Sequence, residues 1–223
     1  MPVATAIRYI GHVSSESAMT VATEPHGPDG ARGAAPRRNR RQEETFRKVL
    51  AAGVEMLRES SHTDLTVRAV AARAKVAPAT AYTYFSSKNH LIAEVYLDLL
   101  RAVPYFTDVN DTMLSRVNKT LHQLALVVAD EPEVAAACTT ALLSNDAGVQ
   151  QVRDRIGREI HRRIRSAIGP DADPRAVAAL EMTYSGALVH AGTGALSYHE
   201  IADRLAYVVG LILEPEQPHG GNR

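Results

Sequence analysis

The sequence predicts an all-α protein of about nine helices, and three observations carry that expectation. Apolar residues recur at three- and four-residue spacing almost continuously from residue 42 to residue 213. With 45% of the chain apolar but no Trp and only three Phe, Ala, Val, Leu and Ile must fill the interior, which suits closely packed helices. Proline falls at starts and stops of the periodic runs: Pro78, Pro104, Pro132, Pro170, Pro174 and Pro215.

At 223 residues, one or two domains and a real core are expected. The formal net charge of zero excludes a uniformly basic coat, so any nucleic-acid contact must be local. The single cysteine, Cys138, sits in an apolar run, which rules out an intrachain disulfide and suits a reducing compartment. No apolar run approaches membrane-spanning length and no secretory signal opens the chain, so a cytoplasmic location is expected.

Residues 1–36 read as a mobile tail punctuated by Pro25, Gly27, Pro28, Gly30 and Gly33, with Met19 an alternative start. Arg37, Arg38, Arg40 and Arg41 follow directly before the first helix. They form either a solvated cluster or an arm for phosphates and a narrow minor groove, and their position favours the arm. The first helix, about Gln42 to Arg58, buries Phe46, Val49, Leu50, Gly53 and Leu57. Thr66 caps the second helix, Leu65 and Val70 staple it, and Val67, Ala71 and Ala74 face inward. Arg68 is the better of its two arginines for a phosphate or base contact, Arg73 the poorer. Val76 plugs the corner, and Pro78 starts a third helix running to Tyr84. There the spacing sends Tyr82 and Phe85 to the core and displays Thr80, Thr83 and Tyr84. So short a helix, showing small and hydroxylic side chains, makes sense if a DNA groove approaches it. The fourth helix runs from about Ser87 to Val103 on a seam of Leu91, Val95 and Leu99. Lys88 in its first turn opposes the helix dipole, a cost explained if Lys88 and the helix start hold a phosphate. Residues 37–101 carry twelve cations against seven anions, so positive charge gathers where the two short helices are.

The stretch Thr66-Val67-Arg68-Ala69-Val70-Ala71, Val76, Thr80-Ala81-Tyr82-Thr83-Tyr84-Phe85, Lys88 and Leu91 resembles the TetR/AcrR family of transcriptional regulators. The resemblance covers residues 42–101. It implies a helix-turn-helix at 66–85 whose short third helix reads the major groove, with Thr80, Tyr82, Tyr84 and Lys88 serving DNA or its backbone; Thr66, Pro78, Ala79 and Thr83 complete the expected DNA-contact set. The chain departs from the family pattern at Lys75 and Ala79, where Gly is usual, and at Ala77, where Ser is usual.

Beyond residue 104 the periodicity continues through Met113 to Val128, and Asp130-Glu131-Pro132-Glu133 opens another helix with an acidic cap. Val149, Val152, Ile156, Ile160, Ile164 and Ile168 line one side of the next, which Gly169-Pro170 stops. Its other side, Arg153 to Arg163, is either a second DNA surface or a solvated face, and interleaved acids favour the latter. Asp173-Pro174 starts a helix apolar on almost every side, and Ser197-Tyr198-His199-Glu200 is a capping box for the last. A helix apolar all round must be buried all round. A homodimer pairing the last two helices through Val177, Leu180, Tyr184, Leu188, Ile201, Leu205, Val208 and Ile212 achieves that. Leu121, Leu124, Cys138, Leu142, Ile156, Ile160, Tyr184 and Leu188 are plain core or the lining of a hydrophobic effector cavity. Glu181 and His190 are paired core polars or pocket groups.

No His/Cys cluster, phosphate loop or Gly-x-Ser-x-Gly motif is present, so no metal, cofactor or enzyme is expected. Residues 37–103 form the expected DNA-binding domain, 104–215 the ligand-binding and dimerisation domain, and 216–223 a second tail. Residues 131–213 resemble the lipid- and sterol-catabolism repressors of the TetR/AcrR family, and the resemblance implies a homodimeric repressor that binds an inverted-repeat operator and is released by a hydrophobic effector of lipid-like, fatty-acyl, hydrocarbon or sterol-derived kind. The alternatives are a ligand-independent DNA-binding dimer, or a small-molecule-binding helical protein with a vestigial DNA-binding module.

Overall fold

A computed structural model describes residues 40–59 and 64–213; Arg37, Arg38, both expected tails and Pro215 lie outside them. Nine helices and no strand occur among the described residues. The first four are α1 (Arg40–Glu59), α2 (Val67–Arg73), α3 (Pro78–Tyr82) and α4 (Lys88–Ala102). The rest are α5 (Met113–Ala125), α6 (Pro132–Leu142), α7 (Ala147–Ile168), α8 (Pro174–Gly192) and α9 (Tyr198–Leu213).

The caps follow the sequence closely. Thr66 Oγ1 accepts from Ala69 N–H and Ser87 Oγ from His90 N–H, both at 3.0 Å. In the Ser197 box, Glu200 N–H donates to Ser197 Oγ at 3.1 Å while Ser197 N–H donates to the Glu200 carboxylate at 2.8 Å. Glu131 is different. It stands at the cap of α6 without a side-chain cap bond, because Arg58 at the end of α1 holds its carboxylate through two hydrogen bonds of 2.5 and 2.6 Å.

The corner between α2 and α3 explains one departure from the family pattern. Lys75 adopts φ 55°, the left-handed region where glycine is favoured. Its N–H donates to Ala72 C=O at 3.1 Å and Val76 N–H to Ala71 C=O at 2.9 Å, which closes the helix end in a Schellman motif. Val76 tucks against the core as the corner's plug.

α4 joins head and body. Its seam was expected to be one-sided, but residues 91–97 are all buried. One side packs on α1, the others on α6 and α7. The α4–α7 contact contains charge. Glu94 and Glu159 are buried, as is Arg163, which is 2% exposed. Arg155 bonds Glu94, and Arg163 donates to Val103 C=O at 2.6 Å and Arg101 C=O at 3.2 Å. Arg153 donates to Leu142 and Ser144 carbonyls at 2.8 and 2.9 Å. The arginine side of α7 is thus only partly solvated. Apolar periodicity located α7's core side but could not reveal that long guanidiniums cap the carbonyl ends of α4 and α6.

Candidate nucleic-acid interface

The first turns of α1 and the exposed side of α3 enclose a groove of about 480 Å³ lined by Arg41, Gln42, Thr45, Ala79, Thr80, Thr83 and Tyr84. α3 has only five residues, and its N-cap Ala77 offers no side-chain bond. What holds it is its two buried anchors. Ala81 and Phe85 are fully buried, and Phe85 stacks on Phe46 of α1 with centroids 5.1 Å apart. Phe85 N–H also donates back to Ala81 C=O at 3.0 Å.

This anchoring corrects two assignments. Tyr82 does not reach the core: Ala81 occupies the inward position and Tyr82 is 51% exposed. The spacing argument failed because the helix ends at Tyr82, so positions 82 and 85 do not share one helical face. Tyr84, expected on display, is half-buried and meets Phe46 edge-on at 6.0 Å, which leaves its other edge to the groove. Pro78, Ala79, Thr80 and Thr83 are exposed as expected. Thr83 Oγ1 donates to Thr80 C=O at 2.6 Å, so that hydroxyl presents lone pairs outward.

The remaining candidates are spread around this groove. Arg68 is exposed on α2, and Thr66 Oγ1 is committed to its cap. Arg73 is engaged elsewhere, bonded to Glu59 and 3.3 Å from Glu55. Arg40 is almost fully exposed and 3.4 Å from Glu44. Lys88 is half-buried at the first position of α4. Sequence reasoning missed Gln42 and Thr45. They stand one turn before Phe46 and Val49, on the N-terminal continuation of the apolar stripe of α1, where the stripe runs out beside α3 and the groove begins.

Residues 49–95 match the family model described as bacterial regulatory proteins, tetR family. Over 193 residues the chain is 69% identical to an uncharacterized HTH-type transcriptional regulator of Mycobacterium tuberculosis, covering 86% of this chain and 88% of that one. The chain belongs to the TetR family of transcriptional regulators. A more distant relative is the HTH-type transcriptional repressor KstR of Rhodococcus jostii, 28% identical over 77% of this chain and 84% of that one. The fold is shared with a TetR transcriptional regulator from Rhodococcus sp. RHA1, with TM-score 0.69 and 19% identity over 80% of this chain and all of that one. It is also shared with FadR of Bacillus subtilis, solved with stearoyl-CoA, with TM-score 0.52 and 13% identity over 77% of this chain and all of that one.

Beyond the groove, α9 packs on α5 and on α8, and α8 also meets α7. Five residues expected at a dimer contact belong to the protomer's own core instead: Val177, Leu180, Tyr184, Ile201 and Leu205 are each 3% exposed or less. Leu188, Val208 and Ile212 are partly buried. The outward apolar face consists of Met182 and Val189 on α8 and Tyr207 and Leu211 on α9, from 36% to 72% exposed. The periodic pattern is symmetrical on so apolar a helix, so it could not distinguish the inward from the outward stripe.

Of the expected effector-cavity residues, Leu121, Leu124, Cys138, Ile156, Ile160 and Tyr184 are buried, with Leu142 and Leu188 partly so. Tyr184 Oη donates to Leu124 C=O at 3.1 Å and lies 3.4 Å from Tyr96 Oη. Burial pushes the Cys138 thiol up to about 12, so it stays protonated. Glu181 pairs with His161 at 2.7 Å rather than with His190, which is exposed. No group of three or more His, Cys, Asp or Glu is placed to hold a metal ion among the described residues. None of their helices is long and apolar enough to cross a membrane.

Proposed function

We propose that this TetR-family regulator is a homodimeric repressor that leaves an inverted-repeat operator when a hydrophobic, lipid-like effector enters its body. The observation that carries the reading is mechanical. The groove-bearing head and the body are tied at three points along one helix pair and its neighbour. Arg58 of α1 holds Glu131 of α6. Ser87 Oγ donates to Asp146 at 2.5 Å, joining the caps of α4 and α7. Glu94 of α4 bonds Arg155 of α7. A shift of α6 or α7 therefore moves α4, and with it Lys88 and α3.

The repressor role is supported by the distant relative KstR, named as a transcriptional repressor. A lipid-like effector is supported by the aliphatic character of the body's core and by FadR, solved with stearoyl-CoA. In this scheme Pro78, Ala79, Thr80, Tyr82 and Thr83 face the major groove. Arg40, Arg41, Arg68 and Lys88 take phosphates, with Arg37 and Arg38 extending the arm. Met182, Val189, Tyr207 and Leu211 meet their copies across a two-fold axis, which spaces the two heads for two half-sites. The effector shifts a population, so it must bind the released form more tightly.

The test is an operator titration at fixed salt with and without long-chain acyl thioesters and sterol-derived acids. Release by one of these classes supports the reading. Operator affinity unchanged by all of them would leave a ligand-independent DNA-binding dimer.

A further inference from the structure

A second groove lies on the body, at the far end of α4 from the operator-facing head. It holds about 340 Å³ and is lined by Arg101, Arg155, Arg158, His161 and Arg162. Every lining residue is a cation or can become one. Arg101 comes from the last turn of α4, the others from successive turns of α7. Lys88 stands thirteen residues earlier on α4, about 20 Å along the helix. DNA phosphates held at Lys88 therefore do not fill this groove.

Acids compensate only part of the charge. Glu94 takes Arg155, Glu159 takes Arg162 and Arg163, and Glu181 takes His161. Arg101 and Arg158 are exposed, and their guanidiniums make no hydrogen bond or ion pair among the described residues. The negative end of the α4 dipole would ordinarily repel an anion here. Arg163 removes that obstacle by donating to the carbonyls of Arg101, Val103 and Pro104.

We propose that this groove binds a small molecule carrying two or more phosphate groups. Guanidinium forks match phosphate oxygens in pairs, and four of them converge here. The site is separate from the apolar core and does not depend on the effector assigned to it above. Its occupancy bears on DNA binding through Arg155. A polyphosphate competes with Glu94 for that guanidinium, and so loosens the bond by which α7 holds α4.

The experiment titrates the full chain by calorimetry at physiological salt with inorganic tripolyphosphate, ATP without magnesium, and a random-sequence DNA duplex. The Arg101→Ala/Arg158→Ala double variant removes two exposed side chains of the groove, with unchanged thermal melting as the folding control. Arg165→Ala removes an exposed α7 charge that does not line the groove. Saturable tripolyphosphate binding, weakened about tenfold or more in the double variant and unchanged in Arg165→Ala, is the expected result. Tighter ATP binding would assign an organic phosphate, and equal binding recognition of the phosphates alone; both sustain the site. Absence of saturable binding, or equal affinities in all three proteins, would overturn it. So would the duplex binding with the same dependence on Arg101 and Arg158, because the groove would then be a nucleic-acid surface.

Discussion

At Lys75 the backbone sits at φ 55° with a β-carbon in place, a conformation that costs an L-residue about 1 kcal/mol or more. Lys75→Gly is therefore expected to stabilise the head by about 1 kcal/mol in denaturant titration, and Lys75→Val to destabilise it. Gly53 offers the opposite lesson. It lies mid-helix, and an added Cβ would meet Leu91, Val95 and Val70 at ordinary contact distances of 3.6–3.8 Å. Gly53→Ala should stabilise by about 0.5–1 kcal/mol, whereas Gly192→Ala should destabilise, because its Cβ would fall 2.5 Å from Thr139 Cγ2. The sequence announced Lys75 as a departure at a glycine position, yet it could not announce Gly53 or Gly192. Their difference lies in what faces them across the packing, not in their neighbours along the chain.

Between elements, the ties of head to body are carboxylates whose protonation can be followed. The Ser87 hydroxyl holds Asp146 below the usual carboxylate range, and Arg58 does the same to Glu131. At Glu94 burial alone would raise the value, but the hydrogen bonds from His90 and Arg155 outweigh it and the net direction is down. Groups depressed in the fold stabilise it above their unfolded values, near pH 4, and lose that contribution as pH falls through the lower folded values. The melting temperature should thus be flat across neutral pH and drop below about pH 4. In Asp146→Asn the deficit at neutral pH should close over that same acid range; a deficit independent of pH would contradict the tie. None of these three ties was legible beforehand, since each joins residues 59 to 73 positions apart. The helices themselves were legible, because caps and periodicity are local. The exception was α3, where a helix ending two residues early reversed Tyr82 and Tyr84.

For the whole molecule, reading an inverted repeat takes two heads carried by one dimer, with bodies that meet on the outward stripe of α8 and α9. Met182→Glu/Leu211→Glu should convert the dimer to a monomer by sedimentation velocity while helical content persists, since both side chains are more than half exposed in the protomer. The inward residues Leu180 and Leu205 make no such test, because their loss would damage the protomer core. The central claim, that α3 and the start of α4 read operator DNA, is tested most directly by fluorescence anisotropy at fixed salt on an operator duplex selected by the wild-type protein from a random-sequence pool. Thr80→Ala, Tyr82→Ala, Tyr84→Phe and Lys88→Ala are the variants, with Tyr84→Phe sparing the ring that packs on Phe46. Weakening of roughly tenfold by Tyr82→Ala and by Lys88→Ala, with sedimentation unchanged, is the predicted result. Wild-type affinity in all four variants would contradict the account.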